Sequence, residues 1–180
     1  MITPIKALSI KQPWAWAISR RAVTYAGKDV ENRTWTTEYR GLLAIHASLT
    51  WDRAGGDSDM IWTAWGEYIR TTPDRRTAST TLDRRGAEFP TGAIVAVADL
   101  DQIHHSASCV RPAYLGEIHP FGPYKCSPWA VGGDGGMYHW RLANVRLLAE
   151  PVACTGRLSL WNLPDDVRDA VVEQLAATAR

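Results

Sequence analysis

The sequence predicts an α+β fold, a small β-barrel flanked by short helices. Segments with strand character outnumber helical ones, and their lengths suit a small closed sheet. Helical periodicity is limited to three short stretches. A chain of 180 residues is long enough to bury a core and suits a single domain, 1–180. We therefore expect one domain, with a loop-rich insertion around 52–89.

The first elements are an apolar strand, a short helix and a second strand. The first strand is predicted over Ala7–Ile10. Pro13 suits a first helical position because its missing N–H costs nothing there. The apolar positions of the helix recur at helical spacing: Trp14, Ala17 and Ile18. After a turn at Gly27, the next complete strand is predicted over Leu42–Ser48.

A charged group lies between these strands. If residues 30–35 are extended, Glu31, Arg33 and Trp35 share one face because side chains alternate along a strand. Lys28 lies at the preceding turn. The alternative is that these charged residues form only surface ion pairs, which would contribute at most about 1 kcal/mol to stability.

The insertion and the C-terminal half alternate between polar and apolar stretches. In the insertion we expect a Gly-rich loop at 53–59, an amphipathic helix over Met60–Arg70 and a polar loop over Thr71–Glu88. Beyond it, the expected elements are a strand at Ala93–Asp99, an irregular segment at 102–137, strands at Tyr138–Leu148 and Pro151–Trp161 with a kink at Gly156, and a helix that Pro164 opens.

Composition excludes several classes of protein. The formal net charge of +1 excludes strong non-specific attraction to nucleic acid by the whole molecule. The sequence has no apolar run of membrane-spanning length and no signal-peptide pattern, and its three cysteines are scattered. A reducing cytoplasm is therefore predicted. Because Cys-x-x-Cys and helically spaced His pairs are missing, we expect ordinary loop histidines, with no metal and no cofactor.

Several blocks of the sequence resemble one known family. LSIKQPWAWAI, GKDVENRTW and RGLLAIHAS are similar to the signature of the ASCH domain (activating signal cointegrator homology), and so are PTGAIVAVADL, SPWA and the stretch from 138 to 161. The family motif is Gly-x-Lys-x-x-Glu-x-Arg. Lys28, Glu31 and Arg33 match its charged positions, while its glycine position falls on Ala26, one place before Gly27.

The resemblance implies a PUA-like β-barrel that binds RNA or modified bases. In a cleft, cations meet phosphate, an acid reads base edges and an indole stacks on the ring. We therefore predict binding of RNA or single-stranded DNA through a single or modified nucleobase, or of a nucleotide-like small molecule. The candidate ligand-binding residues are Lys28, Glu31, Arg33, Lys11, Gln12, Arg40, His46, Ser48, Ser127 and Trp129.

The alternative is catalysis in the same cleft, by a nucleoside amidohydrolase or a ribonuclease. Lys28 would act as a base and Glu31 would move a proton. The resemblance also argues against the amidohydrolase mechanism, since the small amidohydrolases of the family carry Thr where this chain has Glu31. A carboxylate cannot replace that hydroxyl nucleophile, although Ser48 or Ser127 supplies a hydroxyl elsewhere. Binding is therefore favoured over catalysis.

Overall fold

The computed structural model describes residues 5–72, 82–84, 86–109, 126–131 and 136–178. Much of the predicted 71–88 loop and most of the predicted irregular segment therefore lie outside the described residues. The elements are β1 (Lys6–Gln12), α1 (Trp14–Arg20), β2 (Val30–Arg33), β3 (Gly41–Trp51), α2 (Arg53–Gly56), α3 (Asp59–Thr71), β4 (Ala93–His105), a 3-10 turn (Ser106–Ser108), β5 (Tyr138–Ala153), β6 (Leu160–Asn162) and α4 (Asp165–Thr178).

The strands form one mixed sheet, in the order β2-β5-β4-β3-β1-β6. β1 runs parallel to β3 and antiparallel to β6, and β2 is antiparallel to β5. The predicted α+β class is confirmed. The sheet is open in the described part of the chain, with β2 and β6 as edge strands, whereas the sequence led us to expect closure.

Three predicted boundaries differ from the structure. The polar loop at 53–59 begins with the short helix α2, because the Asp52 carboxylate accepts a hydrogen bond from the Gly55 amide (3.1 Å) and caps it. Strand β4 continues to His105 instead of ending at Asp99. Strand β5 passes through Pro151 and ends at Ala153, so the predicted strand at Pro151–Trp161 is divided between β5 and β6.

The chain divides into two compact units. The first unit comprises 1–28, 42–98 and 144–180, and the second comprises 29–41 and 99–143. Each is described separately below, and the predicted single domain stays a prediction. None of the described helices combines the length and the apolar character that crossing a membrane requires.

The first unit contains an extensive apolar core. Trp16 on α1 is 1% exposed and packs against Trp65 on α3 and against Phe89, with ring centroids 5.4 and 5.5 Å apart. Burying aromatic rings removes large apolar areas from water, which stabilises the fold. A second cluster joins the sheet to α4; its members are Ile5, Ala7, Ala44, Ile94, Val97, Leu148, Trp161, Leu163, Val167 and Val171.

Candidate functional site

The short strand β2 presents the charged pair that the sequence singles out. Glu31 lies opposite Trp140 and Arg33 opposite Tyr138 on β5, so these four side chains share one face of the second unit. An Arg33 Nη2 donor lies 3.1 Å from Glu31 Oε1. Glu31 is buried, at 8% exposure, and the Arg33 side chain is 24% exposed. The pair is therefore partly desolvated, unlike a surface ion pair.

An indole lies two residues beyond the end of this strand. Trp35 contacts Trp140 edge to face, with ring centroids 4.7 Å apart. Trp140 also donates a hydrogen bond from Nε1 to the Trp35 carbonyl (3.3 Å). Trp140 is fully buried, whereas Trp35 is partly exposed. The buried ring thus holds in place a second ring that solvent can reach.

The other face of β2 fixes the segment 126–131. Asn32 donates from Nδ2 to the Trp129 carbonyl (2.9 Å) and accepts from the Val131 amide at Oδ1 (3.0 Å). Ser127 donates to a carboxylate oxygen of Asp29 and accepts from the Trp129 amide (3.0 Å). Sequence reasoning missed Asp29 and Asn32, since nothing local distinguishes them from ordinary polar residues.

These contacts limit what two predicted site residues, Ser127 and Trp129, can do. Ser127 is 1% exposed and its hydroxyl is engaged on both sides, which favours a structural role over that of a nucleophile. Trp129 is buried, with 7% of its surface exposed. Base stacking needs an open face, so Trp35 suits that role better. Ligand binding by either residue stays a prediction.

Lys28 belongs to the first unit. It is 3% exposed, and its backbone amide donates to the Ala17 carbonyl (2.8 Å). Its neighbour Gly27 lies so close to the backbone of Arg21 that a Cβ would clash there. A buried ammonium is rare unless it is paired. The burial of Lys28 argues against the alternative of surface ion pairs. Ligand binding by Lys28 stays a prediction.

Three further predicted residues have visible structural roles. Gln12 is 1% exposed, accepts from the Trp16 amide (2.9 Å) and donates to the Pro90 carbonyl (2.8 Å). Lys11 is exposed, with Nζ 3.8 Å from Asp52. Arg40 is exposed and donates to the carbonyls of Thr37 and Tyr39. No ligand contact follows from these positions, so their roles as ligand-binding residues stay predictions.

His46 and Ser48 meet in an open groove of about 1060 Å³ in the first unit. The His46 ring bonds through Nε2 to the Cys154 carbonyl (3.0 Å), and burial lowers the pKa of the ring. Gly156 lies against it, where a Cβ would clash with the imidazole and approach Ser9 Oγ to 2.9 Å. The glycine predicted as a strand kink is thus needed for space beside His46. Whether this groove takes a ligand stays a prediction.

Two histidines and two cysteines converge in the second unit. One ligand atom from each of His104, Cys109, Cys126 and His139 lies within 4.8 Å of the others. The rings of His104 and His139 meet edge to face, with centroids 5.2 Å apart. Burial, followed by the neighbouring His139 and Arg141, lowers the pKa of His104. These side chains are the ones that could hold a metal ion in the described part of the chain.

Comparison with known proteins supports the fold. No protein-family model matches the sequence, and no curated protein matches it. The crystal structure of a point mutant of the ASCH protein from Zymomonas mobilis matches with a TM-score of 0.50 and 11% identity, covering 95% of this chain and 98% of that one. The crystal structure of ASCH from Zymomonas mobilis matches with a TM-score of 0.49 and 11% identity over 94% of each chain.

Proposed function

We propose, from the premise that this chain has the fold of an ASCH domain, that it binds a single nucleobase of RNA or single-stranded DNA on the face of β2 that carries Glu31 and Arg33. The main support for this proposal is the Glu31–Arg33 ion pair, which is partly desolvated and in which Arg33 Nη2 lies 3.1 Å from Glu31 Oε1. It lies on the strand that leads directly to the partly exposed Trp35. An acid, a guanidinium and an accessible indole can together contact the base and the phosphate of a nucleotide.

Each group has a distinct task in this proposal. The Glu31 carboxylate accepts hydrogen bonds from the exocyclic amine or ring N–H of a base. Arg33, whose plane is oriented by that carboxylate, donates to phosphate or to base acceptors. Trp35 stacks on the ring, and its contact with Trp140 restricts the indole before the ligand arrives.

A single base is favoured over a duplex. The groups lie on a four-residue edge strand or just after it, and duplex sequence is usually read by a helix or a two-stranded ribbon that enters the major groove. The net charge of +1 provides little of the electrostatic attraction on which duplex binding depends. Recognition of one unstacked base, modified or unmodified, needs only a few side chains close together.

Fluorescence-monitored titration with modified nucleosides and short single strands tests the proposal. Glu31→Gln removes the charge while keeping the size, and should weaken binding at least tenfold, about 1.4 kcal/mol. Trp35→Ala should weaken binding by about 1–3 kcal/mol. Lys28, the amine of the sequence motif, is proposed from that motif alone, and Lys28→Ala should abolish binding.

Matched variants separate binding from folding. Glu38→Gln changes an exposed acid in the same unit, and Lys6→Ala removes a lysine outside the motif. Both should bind like the wild type. Equal affinities for Glu31→Gln, Trp35→Ala and the wild type, with unchanged circular dichroism, would move the site away from β2.

Catalysis on the same face of β2 is the second candidate, favoured by the burial of Glu31. Buried ionisable groups are common in active sites because desolvation adjusts their reactivity. Incubation with an acylated cytidine, or with a labelled RNA, followed by chromatography distinguishes the two functions. Free cytidine or cleaved RNA that disappears in Glu31→Gln would make the protein a hydrolase, whereas intact substrate at saturating protein supports binding alone.

A further inference from the structure

We propose that His104, Cys109, Cys126 and His139 bind one structural Zn²⁺ ion in the second unit. Two thiols and two imidazoles form a donor set typical of closed, tetrahedral zinc sites. The four ligand atoms already lie within 4.8 Å of one another. Cys126 Sγ is 3.4 Å from His139 Nδ1. Ligands about 2.3 and 2.0 Å from a tetrahedral zinc ion would be separated by roughly 3.5 Å. This site is independent of the nucleobase proposal.

The orientation of His139 supports a metal. Its Nε2 lies 2.9 Å from the Val131 carbonyl, an acceptor that requires a proton on that nitrogen. In the neutral ring, Nδ1 is therefore an acceptor, and it faces Cys126 Sγ. Zinc-bound histidines commonly donate their second nitrogen to a carbonyl in this way, which fixes the tautomer and the ring plane. His139 is fully buried, so its orientation is fixed by the fold.

His104 provides a second, independent observation. Its Nε2 is buried and has no hydrogen-bond partner among the described residues. An imidazole nitrogen buried without a partner is costly unless something satisfies it. A metal ion bound at this nitrogen would remove that cost.

The main competing outcome is a disulfide between Cys109 and Cys126, both of which are free thiols in the structure. A disulfide would account for the two cysteines but not for two histidines turned toward the same point. Four converging donors favour zinc. The sequence hides the site because the ligands are separated by 4, 16 and 12 residues, without the close Cys pair of common zinc motifs.

The position of the site indicates what the ion would do. His104 lies at the end of β4, Cys109 just after the 3-10 turn, and His139 at the start of β5. The Ser106 amide donates to the Met137 carbonyl (2.8 Å), so backbone contact already joins these regions. Zinc would hold these regions together, and it would hold Cys109 close to Cys126. A crosslink between residues so far apart in the chain stabilises the folded state.

Metal analysis of the full-length, tag-free protein tests the proposal. Protein purified under reducing conditions with zinc added, then freed of unbound metal, should contain about one zinc per chain by plasma mass spectrometry. Titration of the metal-free protein with Co²⁺ should give the intense visible bands of tetrahedral cobalt and a thiolate-to-cobalt charge-transfer band. The cobalt titration needs no variant, so it remains informative if a substitution prevents folding.

Control variants assign the ligands. Cys109→Ser, Cys126→Ser and His104→Asn should each lower zinc content at least tenfold. Cys154→Ser removes a free cysteine outside the cluster, and His105→Asn changes the histidine next to His104 while keeping a capping acceptor; both should retain one zinc. Three results would overturn the proposal: wild-type protein without zinc, octahedral cobalt spectra, or a Cys109–Cys126 disulfide in protein kept under reducing conditions.

Discussion

The two units are stabilised by different kinds of interaction. The first has clusters of apolar and aromatic side chains packed against the sheet. In the described part of the second, buried apolar residues are few (Val30, Leu100, Trp129, Trp140 and Leu142), and buried polar ones are nearly as many (Glu31, Ser106, Ser127 and His139). A buried apolar side chain needs no particular bonding partner, whereas a buried polar group needs a specific hydrogen-bond partner. The unit with the specific partners is also the one that contains the proposed zinc ligands and the Glu31–Arg33 pair.

The largest effect is expected from the core of the first unit. Trp16→Ala removes an indole that contacts Trp65, Tyr68 and Phe89. We expect the free energy of unfolding to fall by about 3–5 kcal/mol, measured by urea denaturation. Trp62→Ala is the matched control, since Trp62 is 44% exposed, and should change the value by less than about 0.5 kcal/mol. Similar losses in both variants would show that the aromatic cluster does not stabilise this unit.

Removal of the metal should increase amide hydrogen exchange in the second unit and leave it nearly unchanged in the first. If zinc holds the second unit, a chelator should increase amide hydrogen exchange there on the order of a hundredfold, equivalent to about 2.7 kcal/mol. The Ser106 amide and the first residues of β5 are the positions to measure. The amides of Ile94 to Ala98 in the first unit should change little. Equal acceleration in both units would contradict a local role for the metal.

A smaller loss is expected from the polar contacts of β2. Asn32→Ala removes the donor to the Trp129 carbonyl and the acceptor for the Val131 amide. Thermal denaturation should show a loss of about 2 kcal/mol, because both backbone groups lose their partner. Asn32→Asp keeps an acceptor for Val131 and should lose less. If both variants match the wild type, the segment 126–131 is held by other contacts.

The smallest expected effect is the pH dependence of stability that His46 contributes. Burial lowers the pKa of His46 below its ordinary value of 6.5, so the unfolded chain binds the proton more readily than the folded one. The contribution of His46 to the free energy of unfolding is complete above pH 6.5. It is lost as the pH falls below that value, by at most about 1.4 kcal/mol per pH unit. The groove around His46 also contains Asp166 and Arg157. His104 adds a dependence of the same sign in the second unit.

Comparison with His46→Gln checks this assignment. Urea denaturation at pH 7.5 and 5.5 should show a smaller loss of stability on acidification in the variant than in the wild type. Glutamine retains a donor for the Cys154 carbonyl, so its stability at the higher pH should be affected less than that of an alanine variant. An identical pH dependence in the two proteins would assign the acid sensitivity to other groups.

The local pattern of the sequence determined much of the architecture. Helical spacing identified α1, α3 and α4, alternation placed Glu31 and Arg33 on one face of β2, and the matching blocks identified an ASCH fold. These features depend on neighbours within a few residues, so they can be read without coordinates. The ends of β4 and β5 were missed because sheet pairing, which is non-local, extended strands beyond their strongest local signals.

Only the tertiary structure decided which side chains meet. Three features depend on residues that are far apart in the chain. They are the burial of Trp129, the hydrogen bonds of Asn32 to the segment 126–131, and the convergence of His104 with His139. The four cluster residues have unremarkable spacing in the sequence, and each alone is typical of a polar loop. The neighbouring strands β4 and β5 carry His104 and His139, and Cys109 and Cys126 approach them from segments outside the strands. Residue types thus set the available chemistry, whereas the fold determined which groups act together.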